Sequence, residues 1–256
     1  MNILYRSTWT ILIVLIIGIY HQSLEAPFVY DDKIEVNGNP TIRDIDNTSA
    51  IITYNPSRIL LQYTYALNYD RALQQQAAPS DIDETPEEYE YHLVNVIIHC
   101  LCAGGLLWML VGITRNQKQL STIFPVAIAS LWVLHPMCTE SVTYITGRSE
   151  SLCALFCFLA LGAWATAHHT ETKGWLWKSF ALFCTILACL TKELGLMIPL
   201  CALAMEKIIF AKSWRQIHWL SYLPFVLVMA AAVAAKFYIY GIHLLCKLHF
   251  GAGLLC

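Results

Sequence analysis

The sequence predicts an all-α, polytopic transmembrane helical bundle, and three observations lead to that fold class. Apolar residues make up 57% of the 256-residue chain and charged residues only 13%, about half the charged fraction of an average soluble domain. The apolar residues form six or seven runs, most of them long enough to cross about 30 Å of hydrocarbon. Basic residues are concentrated in alternate connections between the runs. The lipid bilayer is therefore an expected partner, whereas a net charge of −2 offers no positive field for nucleic acid.

Each apolar run is expected to be a helix, because backbone groups in hydrocarbon must be hydrogen-bonded within their own segment. The expected spans are residues 8–24, 93–113, 121–134, 152–167, 175–190, 194–210 and 217–240. The first run follows Arg6 and resembles a signal sequence, but residues 22–26 contain no small-x-small cleavage site. We therefore expect residues 1–24 to be a retained signal-anchor helix.

The basic residues predict the orientation of the spans. With the N-terminus inside, eight basic residues lie in or beside the inner connections, and two, Arg148 and Lys192, lie in the short outer ones. The eight are Arg6, Arg115, Lys118, Lys173, Lys178, Lys207, Lys212 and Arg215. This imbalance sends residues 25–91 outward, to a periplasm or an organelle lumen.

The outward loop at 25–91 precedes the rest of the bundle at 92–241, and it carries 13 of the 18 acidic residues. Within the loop, Ile59, Leu60, Tyr63 and Leu67 fall on one face of an amphipathic helix that we expect to lie along the membrane surface. Residues 77–90 have the composition of a solvated linker.

Polar residues at membrane depth indicate function, because they are costly there unless they face a protein interior or a wet cavity. Asp31 and Asp32 follow the first span and fit either a general base with its helper or an ordinary turn. His92, Asn95 and His99 line one face of a helix for two turns. This polar helix face suits hydrogen bonds between helices or contact with a ligand.

Two further polar sets lie in the outer connections. In the turn at 135–150, Arg148 has two open roles: a structural clamp with Glu140 or Glu150, or bidentate binding of a phosphate. Lys192 and Glu193 lie between two spans and either pair with each other or bind phosphate through the lysine. This inventory suits sugar transfer from a lipid phosphate, and it suits an ion or solute pathway equally well.

Four stretches of the chain occur in an order that is similar to a known family. They are 28–32 (FVYDD), 91–99 (YHLVNVIIH), 135–150 with HPMCTE and GRSE, and 191–193 (TKE). Together they resemble the membrane region of the transmembrane and tetratricopeptide-repeat-containing O-mannosyltransferases and their bacterial relatives, which are C-type (GT-C) membrane glycosyltransferases. The likeness covers most of residues 8–212.

The resemblance implies an enzyme that transfers a sugar, mannose in eukaryotic members, from a polyprenyl or dolichyl phosphate to Ser or Thr hydroxyls of a protein acceptor. It places the family's catalytic acidic motif on Asp31 and Asp32, one of which acts as base. Arg148 and Lys192 are assigned to the lipid phosphate on the same resemblance. Further donor-binding positions by this likeness are His135, Glu140, Glu193 and Arg58. No cofactor beyond the donor is implied, and a divalent metal is left open.

The sequence departs from the family at several points. Ile59 follows Arg58 where the family has proline, and Glu150 stands where the family has aspartate. Because the resemblance implies further spans and helical repeats of about 34 residues, we expect a truncated sequence with an atypical tail at 242–256. Two alternatives stay open: a catalytically inactive fragment that acts as membrane anchor or assembly partner, and a polytopic transporter. The expected membrane is that of the endoplasmic reticulum in a eukaryote and the inner (plasma) membrane in a bacterium.

Overall fold

The chain folds into α-helices, which confirms the fold class predicted from the sequence. The computed structural model describes residues 3–75, 88–117 and 123–250, with side chains except at positions 75 and 239–250, and these ranges contain no β-strand. The helices in them are α1 (Ile3–Tyr20), α2 (Thr48–Tyr54), α3 (Ile59–Gln75), α4 (Glu88–Thr114), α5 (Ile123–Val133), α6 (Cys138–Thr143), α7 (Arg148–His168), α8 (Gly174–Cys189), α9 (Ile198–Ala204) and α10 (Leu223–Phe250). Lys118 and most of the linker expected at 77–90 lie outside the described residues.

Four helices in the described part of the chain are long and apolar enough to cross a membrane, where the sequence predicted six or seven spans. They are Ile3–Glu25, Glu88–Thr114, Arg148–His168 and Trp219–Tyr238. The helices α5 and α8 are also apolar but contain only 11 and 16 residues. At 1.5 Å per residue they reach about 17 Å and 24 Å, which is less than the hydrocarbon thickness of about 30 Å.

The span predicted at 194–210 is wrong as a single regular helix. A 3₁₀ turn at Glu193–Met197, the short helix α9 and a π turn at Met205–Ile209 occupy this run instead. Pro199 has no N–H to donate to the carbonyl four residues earlier, and the α-helical part begins only at Ile198. The apolar composition alone did not reveal this break.

The helices α4 and α7 run in the same direction at the centre of the larger of two compact units, Met1–Ala202. Near their first turns, Arg148 Nε donates to Asn95 Oδ1 at 2.7 Å. At their far ends, the His169 ring lies 2.9 Å from the carbonyl oxygen of Gly112. The starts of both helices therefore lie at one end of this unit.

Three neighbouring helices, α1, α5 and α8, run antiparallel to this central pair. Trp9 of α1 donates to the Cys100 carbonyl at 3.0 Å. The carbonyl oxygen of Val133, the last residue of α5, lies 3.0 Å from Nε2 of His99. The chain after α8 returns to the same end, where the Leu190 carbonyl accepts from the backbone N–H of Leu60 at 3.1 Å. The polar connections that follow α1, α5 and α8 are thus brought together with the starts of α4 and α7.

The connection between α1 and α4 forms a folded cap on that end of the unit. Its short helical segments enclose a hydrophobic core that it shares with the start of α4 and the turn before α7. The buried residues of this core are Phe28, Val36, Ile42, Ile51, Leu61, Tyr65, Ala66, Tyr91 and Ile145. Burying this apolar surface stabilises the cap, at roughly 25 cal/mol for each Å² removed from solvent.

The helix expected in this connection is present as α3. Leu67, a member of the apolar stripe expected to lie along the membrane surface, is 48% exposed, and contact of that stripe with the membrane stays a prediction. The face that α3 buries is mixed in polarity and consists of Leu61, Gln62, Tyr65, Ala66, Asn68 and Ala72. Its polar members bond to other elements of the unit, and an apolar stripe therefore does not mark the contact face.

The second compact unit, Leu203–Cys256, contains an aromatic and basic turn followed by α10. Lys207 lies 4.4 Å above the ring of Trp214, and that ring stacks on Trp219 at 6.1 Å. The helix α10 continues through residues 242–250, so most of the tail expected to be atypical extends a helix, while residues 251–256 lie outside the described part.

Candidate functional site

A cavity of about 810 Å³ opens between the folded cap and the connections at the same end of the helices. Six charged residues line it: Asp31, Glu35, Arg58, Glu140, Glu150 and Lys192. They come from the first connection, from the start of α3 and from the segments before α7 and after α8. Five of the six are residues that the sequence analysis singled out, and the fold brings them to one site.

The two adjacent aspartates have opposite surroundings. A tight turn, in which the Asp32 N–H donates to the Val29 carbonyl at 3.0 Å, leaves Asp31 exposed at the cavity and Asp32 fully buried. The turn requires a left-handed backbone at Tyr30, with φ of 48°. That conformation costs an L-residue roughly 1–2 kcal/mol. Of the two aspartates, only Asp31 therefore lines the cavity.

The buried carboxylate of Asp32 holds the cap to the turn before α7. Its Oδ1 accepts from both the backbone N–H and the hydroxyl of Thr146 at 2.8 Å. Its Oδ2 lies 3.4 Å from the backbone nitrogens of Ile145 and Val29. This carboxylate is engaged in structural bonds and is out of contact with solvent.

The cations of the cavity each have a carboxylate partner. Lys192 forms an ion pair with Glu150, and the Arg58 guanidinium lies 3.9 Å from Glu193. Arg58 and Lys192 belong to neighbouring segments because the backbone of α3 bonds to the end of α8. These pairs replace the pairing of Lys192 with Glu193 that the sequence left open.

Arg148 lies behind the cavity and is fully buried. Its Nε donates to Asn95 Oδ1, and one terminal nitrogen donates to Asn68 Oδ1, both at 2.7 Å. The remaining donors reach Thr64 at 3.2 Å and the Tyr91 carbonyl at 2.9 Å. Of the two roles that the sequence left open for Arg148, this arrangement favours the structural clamp over phosphate binding. The partners of the clamp, however, are neutral oxygens and not Glu140 or Glu150.

The polar face of α4 points into the protein. His92 lies 3.0 Å from the Ala26 carbonyl, and Asn95 donates to the Tyr144 carbonyl at 2.8 Å. Together with the contact of His99 to α5, these bonds join α4 to three other segments. The geometry corresponds to hydrogen bonding between helices, which was one of the two interpretations of this face.

The two other predicted site residues in the turn before α7 have different positions. Glu140 lines the cavity. His135 is exposed outside the cavity lining, where its Nδ1 accepts from the Met137 N–H at 3.1 Å. Gly147 permits close backbone approach, because a Cβ there would lie 2.6 Å from the Glu140 carbonyl oxygen.

Glu35, Tyr144 and Tyr30 are cavity residues that were not among the candidates predicted from the sequence. Glu35 lies among the acidic residues of the cap, and Tyr144 lies in an ordinary connection, so neither stood out. Tyr30 lies inside the FVYDD motif and its position beside Asp31 was the available signal. Within the described residues, no group of three or more His, Cys, Asp or Glu side chains is arranged to hold a metal ion.

Four helices of membrane-spanning length define a helical membrane protein, and its larger compact unit has a charged cavity at one end. The chain is 31% identical over 205 residues to a protein O-mannosyl-transferase of Caenorhabditis elegans, which covers 73% of this chain and 26% of that protein. It is 26% identical to protein O-mannosyl-transferase TMTC1 of Homo sapiens over 69% of this chain and 21% of that protein. For TMTC3 of Homo sapiens the identity is 28%, over 72% and 20%.

These relatives confirm the family resemblance that the four motifs indicated: the chain is similar to protein O-mannosyl-transferases over about 70% of its length. The chain spans about a fifth to a quarter of the length of the curated relatives it matches. No family model matches the chain, and no solved structure does.

Proposed function

We propose that this chain is the membrane part of a glycosyltransferase that transfers a sugar, mannose by analogy with its relatives, from a polyprenyl-phosphate donor to Ser or Thr hydroxyls of a protein. The observation that carries the proposal is the exposed carboxylate of Asp31 in a cavity that is also lined by the cations Arg58 and Lys192. The names of the curated relatives support the reaction class. By this proposal the cavity faces the lumenal or outer side of the membrane.

In the proposed reaction Asp31 is the general base. Its carboxylate takes the proton of the acceptor hydroxyl while the hydroxyl oxygen forms a bond to the anomeric carbon of the sugar. The bond from that carbon to the phosphate oxygen breaks, and polyprenyl phosphate leaves with the electron pair. Asp32 acts through its bonds to Thr146, which hold the turn that presents Asp31.

The leaving phosphate needs positive charge near it as the bond breaks. Lys192 and Arg58 are suited to this because both line the cavity. Lys192 is paired with Glu150 and Arg58 with Glu193, so a phosphate can exchange with either carboxylate. The side chain of Arg148 is bonded to neutral oxygens behind the cavity wall. We therefore assign the phosphate to Lys192 and Arg58 and give Arg148 the task of holding α3, α4 and α7 together.

The proposal predicts that Asp31→Asn lowers sugar transfer at least about 100-fold, because a positioned general base contributes roughly 10²–10⁴ in rate. The chain is reconstituted in vesicles with polyprenyl-phosphate mannose and a Ser/Thr peptide, and mannosylated peptide is counted. Asp46→Asn is the matched control, since Asp46 is an exposed aspartate of the same cap outside the cavity lining.

Transfer at the normal rate by the Asp31→Asn protein would remove Asp31 as the base. If the unmodified chain binds the donor and transfers no sugar, the membrane-anchor role gains support over the transferase role. If it binds no donor at all, the proposed function is wrong.

A further inference from the structure

Tyr30 is a large, exposed aromatic residue at the left-handed position that the turn before Asp32 requires. Its side chain is 78% exposed, so burial does not stabilise it. Its φ of 48° lies in the left-handed region, where glycine would be accommodated without strain. A large aromatic residue held in this conformation at a cavity rim points to a functional use of the ring.

A second tyrosine lies beside it. The ring of Tyr144 is 6.0 Å from the ring of Tyr30, centre to centre, with the planes at 71°. Both residues line the cavity, and Asp31 directly follows Tyr30 in the chain. The backbone of Tyr144 is fixed, since its carbonyl accepts from Asn95 at 2.8 Å and from the N–H of Gly147 at 3.1 Å. The backbone that carries the Tyr144 ring is thus fixed, while Tyr30 is exposed.

We propose that the exposed ring of Tyr30, packed at nearly a right angle against the ring of Tyr144, forms an aromatic platform that binds the pyranose ring of the donor and holds its anomeric carbon near Asp31. The C–H groups on one face of a pyranose are attracted to the electron-rich face of an aromatic ring. Charged groups alone would orient the phosphate, whereas a flat apolar surface orients the sugar. This inference rests on the proposed function and adds the residues that recognise the sugar.

An exposed tyrosine near a membrane surface has another use, which is to anchor the protein among lipid headgroups. An anchoring ring would affect how the protein sits in the membrane and would not distinguish a donor with a sugar from one without. The test is therefore built on that difference.

The experiment measures equilibrium binding of two probes to the full chain in vesicles: polyprenyl-phosphate mannose and polyprenyl phosphate without sugar. For Tyr30→Ala we expect about tenfold weaker binding of the first probe, which corresponds to about 1.4 kcal/mol, and unchanged binding of the second. Tyr30→Phe keeps the ring and should bind both probes like the unmodified chain. Tyr89→Ala is the matched control, because Tyr89 is 42% exposed and lies outside the cavity lining.

A further variant keeps the test valid if Tyr30→Ala folds poorly. Tyr30→Gly removes the ring and also relieves the left-handed strain, so it should be at least as stable as the unmodified chain and still lose about tenfold in binding of the sugar-bearing probe. Equal loss for both probes would overturn the platform and favour a headgroup anchor. Full binding of the sugar-bearing probe by Tyr30→Gly would overturn it as well, while failure of the unmodified chain to bind that probe overturns the proposed function itself.

Discussion

Asp31 and Asp32 are adjacent, chemically identical side chains that the fold separates into an exposed group and a buried one. The separation depends on Thr146, more than a hundred residues later, which donates two hydrogen bonds to Asp32. An acceptor with both oxygens engaged in a buried site is poorly placed to take a substrate proton. The same principle applies to Arg148, whose donors are consumed by neutral partners within the protein.

Arg148→Lys should lower the free energy of unfolding by roughly 2–4 kcal/mol, because a single ammonium group cannot replace the planar fork and leaves buried acceptors unsatisfied. The thermal midpoint in detergent measures this change. Arg43→Lys is the control, since Arg43 is an exposed arginine of the cap with one bond, to the Asn37 carbonyl at 3.2 Å. A stable Arg148→Lys protein that has lost donor binding would restore the phosphate role of this arginine.

At the scale of elements, α4 and α7 are held together by small residues as much as by polar bonds. Gly162 lies against Trp108, and a Cβ placed on it would be 2.9 Å from the indole ring. Gly112 similarly faces Ala165, at 3.0 Å for an added Cβ. Close contact between helices through small residues is a general means of helix association in membranes. The relative position of the two helices therefore depends on their glycines.

Replacing a glycine by alanine should affect stability differently at Gly162, in the α4–α7 contact, and at Gly18 on α1. Gly162→Ala should cost about 1–3 kcal/mol of stability, because the new methyl group must displace Trp108 or the α4 backbone. Gly18→Ala on α1, where an added Cβ meets nothing within 4 Å, should be neutral or slightly stabilising, since alanine favours a helix over glycine. Thermal unfolding in detergent, followed by circular dichroism, compares the two. Equal effects would show that the α4–α7 contact is looser than the structure indicates.

For the whole molecule, the orientation in the membrane decides which compartment the cavity faces. The excess of basic residues in alternate connections predicts that the cap and the cavity lie outside or in a lumen. The cap carries an N-glycosylation sequence at Asn47-Thr48-Ser49. Asn47 is exposed, and its Oδ1 accepts from the Ala50 N–H at 3.2 Å, which caps α2.

Synthesis of the chain into endoplasmic reticulum membranes should therefore produce a glycosylated form that a glycosidase converts to the smaller one. The reason is that only a lumenal cap meets the glycosylating enzyme. Gel mobility measures the change, and Ser49→Ala should abolish it while leaving the asparagine cap in place. A cap that stays unmodified and is digested by protease added to sealed membranes would reverse the predicted orientation.

The candidate site was predictable in its composition but only partly in its arrangement. The acidic pair, Glu140 and Lys192 were identified because charged residues near apolar runs stand out locally, and Arg58 was identified from the family resemblance. Tyr144 and Glu35 were not, since their neighbours in sequence give no sign that they reach a cavity. The face that α3 buries could not be predicted from an apolar stripe, because its polar residues Gln62 and Asn68 bond to partners far away in the chain.

What the sequence by itself determined is the helical membrane class, the family resemblance and the set of polar groups that meet at one end. These follow from local composition, from the length of apolar runs and from short motifs, all of which are readable along the chain. Only the tertiary structure decided that Asp32 is buried while Asp31 is exposed, that Arg148 is enclosed by neutral acceptors, and that residues 194–210 do not form one regular helix. The physical reason is that burial and hydrogen bonding are completed by residues distant in sequence, whose approach no local pattern records.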